Sequence, residues 1–86
     1  MKELQIIIAG ESATGKSTMM LMLEEFLLEK GFNVEVDLAN ELIDYGTEAK
    51  FRTNMSKHDV ERIAALRKDI KINIKQKQLH WELKKQ

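Results

Sequence analysis

At 86 residues and 10.0 kDa the chain has room for one small core, and its 43% hydrophobic and 33% charged residues exclude a disordered polymer. It has no cysteine, which excludes disulfides and thiolate metal sites and fits a reducing, cytoplasmic setting; its longest apolar run, Met19 to Leu23, is too short for a membrane span. The formal charge of zero is divided: residues 1–49 carry three lysines against ten carboxylates, net −7, and residues 50–86 carry eleven Lys or Arg against four carboxylates, net +7.

The amino end, Met1-Lys2-Glu3, carries an acid and lacks the pattern of a secretory signal. Residues 4–9, Leu-Gln-Ile-Ile-Ile-Ala, form a mostly apolar, β-branched run that predicts a strand buried on both faces. A polar loop bounded by Gly10 and Gly15 follows. Residues 16–30 are rich in Met, Leu and Glu and predict a helix, with Glu24, Glu25, Glu29 and Lys30 on its wet side and Gly31 at its carboxy end. Residues 32–37, Phe-Asn-Val-Glu-Val-Asp, alternate and predict a second strand. Leu38 to Tyr45 predicts two helical turns stopped at Gly46.

Thr47 to Met55 reads as loop, and Ser56 with Asp59 as a capping box opening a long helix over 56–86. No Gly or Pro interrupts that stretch, yet Ile70, Ile72 and Ile74 alternate with Lys71 and Asn73, which is strand periodicity and leaves a third strand open. The expected organisation is a single domain over 1–86, with a βαβ core over 1–46 and a basic helix over 56–86.

Gly10-Glu11-Ser12-Ala13-Thr14-Gly15-Lys16-Ser17 matches G-x-x-x-x-G-K-[ST] at every fixed position, and Thr18 follows. This segment resembles the P-loop nucleoside triphosphatase and kinase superfamily, as a minimal, truncated member. The resemblance covers residues 3–37. It implies an α/β fold with two or three parallel strands and a bound nucleoside triphosphate, ATP with Mg²⁺. Backbone amides from Ser12 through Ser17 would then cradle phosphate, Lys16 would reach the β- and γ-phosphates, Ser17 would ligate Mg²⁺, and Thr18 would contact the α-phosphate. The later strand ending in Asp and the base-reading motifs of the superfamily are missing, so turnover is expected to be weak or dependent on a partner.

Asp37, at the end of the second predicted strand, keeps two readings: a magnesium or acceptor-proton role as in small-molecule kinases, or a cap on the helix that follows. Arg52, Arg62 and Arg67 are secondary candidates for charge stabilisation. Bare sheet faces and an overhanging carboxy-terminal helix predict a homo-oligomer, associating by that helix or by sheet edges, and the same basic helix is a candidate surface for nucleic acid or an acidic protein. A non-enzymatic module binding through that helix is the alternative to nucleotide chemistry.

Overall fold

The computed structural model describes residues 2–12 and 14–78, and among them it forms three helices and no strand: α1 (Lys16–Glu29), α2 (Ala39–Tyr45) and α3 (Glu48–Asp69). The described protein is therefore an all-α bundle. This corrects the expected α/β unit of two or three parallel strands, and with it the minimal P-loop core over 1–46. The reason is physical. A β-branched run records what a segment prefers, but a strand exists only when a neighbour completes its hydrogen bonds. Residues 4–9 have none among the described residues, and Leu4 and Ile7 stand 90% and 81% exposed. The route to self-association through sheet edges loses its ground, because no sheet is formed among the described residues.

Local chemistry sets the helix ends. Gly15 takes φ 83° just before α1, and Gly31 takes φ 88° just after it. At the carboxy end the Gly31 amide donates to the Leu28 carbonyl and the Phe32 amide to the Leu27 carbonyl, the paired bonds of a Schellman turn. Gly46, at φ 87°, stops α2 where the sequence predicts, its amide donating to Leu42. The helix α3 starts earlier than Ser56. Thr47 caps it, its Oγ1 accepting from the Lys50 amide at 3.2 Å, so residues 48–55 are helix and not loop. It also ends earlier, at Asp69: Ile70 is extended, and residues 71–78 are neither helix nor strand. The remainder of the predicted long helix, with His80 and Trp81, lies outside the described residues.

The core is thin. Leu38, Phe51 and Met55 are buried, with Met20, Leu21, Val36 and Tyr45 packed against them. Tyr45 meets Phe51 edge to face at 5.4 Å, joining α2 to α3. A charged fork joins α1 to α3. Arg52 donates to Glu24 Oε1 at 2.7 Å and Oε2 at 3.0 Å, and also to Glu48 at 2.9 Å. Glu24, expected on the wet side of its helix, is instead mostly covered, its side chain 15% exposed.

The Arg52 guanidinium beside Glu24 holds its carboxyl below the usual carboxylate range, and the two glutamates hold the Arg52 pKa up. A depressed carboxyl pKa stabilises the fold above its unfolded value, near 4.5, and that contribution is lost as pH falls through the folded value. Glu24→Gln is therefore expected to cost about 1 kcal/mol at neutral pH. It should also flatten the acid limb of stability below about pH 4.5. Thermal melts of both proteins across that range check it; parallel acid limbs would show that the fork does not couple to folding.

Candidate functional site

The residues singled out for phosphate lie together, and two of their side chains, Thr14 and Lys16, bond to the loop's own carbonyls. Gly10, Glu11 and Ser12 are exposed, and Ala13 lies outside the described residues. The Thr14 hydroxyl donates to the Glu11 carbonyl at 2.7 Å. The Lys16 ammonium donates to the carbonyls of Gly10 at 3.0 Å and Glu11 at 2.7 Å, so the loop closes on its own lysine. Ser17 Oγ donates to Glu41 Oε1 at 3.5 Å, the outer limit of a hydrogen bond. Thr18, expected at an α-phosphate, is the one buried polar residue among those described. Asp37 Oδ1 accepts from the Ala39 amide at 3.0 Å, an Asx turn one residue ahead of Leu38, the N-cap of α2.

Gly15 has a different use from the one the motif assigns. A Cβ built on it would stand 2.5 Å from Leu66 Cδ1 and 2.8 Å from Leu66 Cδ2. The glycine thus lets the start of α1 lie directly on α3. Beside it is a cleft of about 360 Å³, whose lining includes Ser17, Thr18, Tyr45, Arg62 and Leu66. Its polar wall is held by neutral groups. Asn54 Oδ1 accepts from Tyr45 Oη at 3.3 Å and from Arg62 Nη2 at 3.1 Å, and Arg62 Nη1 rests on the Met55 sulfur. Glu41 is the residue that sequence reasoning missed here. Its Oε2 is covered and has no hydrogen-bond partner among the described residues, and its charge faces the amino-terminal turn of α1 through Ser17.

Comparison with protein-family models, with curated proteins and with solved structures returns no match. The absence of strands among the described residues overturns the resemblance to the P-loop superfamily and the triphosphatase or kinase activity it implied. The ATP and Mg²⁺ readings fall with it. The motif needs a strand to deliver its loop to a helix, and none is formed. Among the described residues no three His, Asp or Glu side chains converge on a metal position. Nor does a nucleoside triphosphate remain as partner, since the loop that was to hold it lacks that framework.

What the structure does present is a run of free cations. Lys57, Arg67, Lys68, Lys71, Lys75 and Lys77 are all exposed, and none forms an ion pair among the described residues. Arg52 is excluded from this surface because both faces of its guanidinium fork are taken by Glu24 and Glu48. No helix among the described residues is long and apolar enough to cross a membrane.

Proposed function

We propose that this chain is a non-enzymatic binding module whose basic carboxy-terminal half docks an acidic protein surface. The observation that carries the reading is the run of exposed, unpaired cations from Lys57 to Lys77. Such a run holds opposite charge without first breaking an internal pair. The absence of cysteine fits the cytoplasm as its compartment.

Two features favour protein over nucleic acid. Asp59, Glu61 and Asp69 interleave with the cations on α3, where they would repel a phosphate backbone. Val60, Ile72 and Ile74 are exposed among the same cations, at 77%, 58% and 91%. Apolar groups of that kind add to a protein interface and add little to a phosphate one.

The test is titration with poly-glutamate and, separately, with a short DNA duplex at the same salt. Poly-glutamate is expected to bind, more weakly as salt rises. The triple variant Lys71→Gln, Lys75→Gln, Lys77→Gln should weaken that binding about tenfold while leaving the helical circular dichroism unchanged. Tighter binding to the duplex than to poly-glutamate would overturn the choice of partner. Binding to neither at low salt would end the proposal.

A further inference from the structure

The segment after α3 combines three properties. First, α3 stops at Asp69 with no Gly or Pro to stop it; Ile70 turns extended at φ −109° and ψ 128°. Second, residues 71–77 make no backbone hydrogen bond to any described residue, so their donors and acceptors stand open along an exposed stretch. Third, the sequence alternates. In extended form Ile70, Ile72 and Ile74 share one face, and Lys71, Asn73, Lys75 and Lys77 share the other.

An open backbone edge of this kind is a template for an added strand, and the two faces specify what the added strand must carry. The isoleucine face calls for β-branched apolar residues opposite it. The lysine face has no carboxylate in residues 70–77 to answer it, so the carboxylates must come from the added strand. The chain does contain such a pattern at Val34-Glu35-Val36-Asp37, but two of its members are engaged: Val36 packs on the core and Asp37 accepts from the Ala39 amide. The apolar run at 4–9 is also exposed, but its three consecutive isoleucines give it no separate polar face.

We infer that residues 70–77 are a docking edge that takes a β-strand from an acidic partner protein, one in which β-branched residues alternate with Glu or Asp. This rests on the proposed binding role and names the partner's local structure. Main-chain hydrogen bonds hold the strand, and the alternating faces fix its register.

The probe is an acetylated peptide of alternating valine and glutamate, with the full chain as receptor. The peptide should bind, and amide exchange at residues 71–77 should slow by about tenfold or more. A peptide with the same side chains but N-methylated at alternate residues should lose both effects. Ile72→Pro, which removes one donor from the edge, should abolish peptide binding while the helical signal is kept. Equal binding of the Val-Glu peptide and poly-glutamate, with exchange unchanged, would overturn strand addition and leave the basic-surface reading standing. Binding of neither would remove both. Protection of 71–77 without peptide, in a chain that sediments as a dimer, would make the occupant a second copy and overturn the acidic-partner assignment.

Discussion

Phe51→Ala is expected to unfold the three-helix unit. Phe51 is fully buried, at 0% exposure, between Leu38 and Met55, and it carries the edge-to-face contact with Tyr45. Removing a buried phenyl ring costs about 3–5 kcal/mol. A chain of this length has about 4–13 kcal/mol of total stability, and a core in which three apolar side chains are buried among the described residues puts it at the low end. The loss therefore matches most of what holds the fold. Urea melts followed by helical circular dichroism check this. Val60→Ala, at a site 77% exposed, is the control and should move the midpoint by less than about 0.5 kcal/mol. A Phe51→Ala protein within about 1 kcal/mol of the parent would mean that the core lies elsewhere.

Gly15→Ala should be nearly as damaging, for two separable reasons. The backbone there has φ 83°, which costs a non-glycine residue about 1–2 kcal/mol. The new methyl group would also lie 2.5 Å from Leu66, closer than any real contact, so α1 must lift from α3 or Leu66 must leave its rotamer. Together these predict a loss of about 2–4 kcal/mol. The double variant Gly15→Ala, Leu66→Ala separates them: the steric part is relieved and the backbone part stays. Gly10→Ala provides the comparison. Its φ is not positive, and among the described residues its new methyl group would meet Thr14 alone, Oγ1 at 2.8 Å and Cβ at 3.8 Å. If the two glycines proved equally sensitive, the close approach of α1 to α3 would not be what Gly15 is for.

The helices were legible where a residue's chemistry is local. Gly31 and Gly46 end α1 and α2 because each can take the positive φ that a helix terminus needs. The start of α3 is also written locally, in Thr47 followed by Glu48, while the capping pair Ser56 and Asp59 lies inside the helix. The predicted strands failed for a different reason. Ile6, Ile7 and Ile8 state a preference that only a distant partner can satisfy, and periodicity carries no information about the partner. The phosphate-loop spelling failed in the same way: glycines and a lysine at the right intervals describe a turn, and the framework around the turn decides what it holds. Within that spelling, Gly15 is required, but by Leu66. The Glu24–Arg52 fork joins residues 28 apart in sequence, and no spacing rule reaches that far.

The same separation orders the assembly of the molecule. The helices α2 and α3 are joined through Gly46 and Thr47 alone, so the Tyr45–Phe51 contact closes a very short segment and forms early. The attachment of α1 through Arg52 must close a much longer one, and its entropy is recovered only once Phe51 and Met55 are already in place. The α2–α3 hairpin is thus expected to form before α1 docks on it. Amide exchange in the native protein is therefore expected to be faster in α1 than in the α2–α3 hairpin, the release of α1 opening the cleft beside Arg62 while the basic helix stays intact.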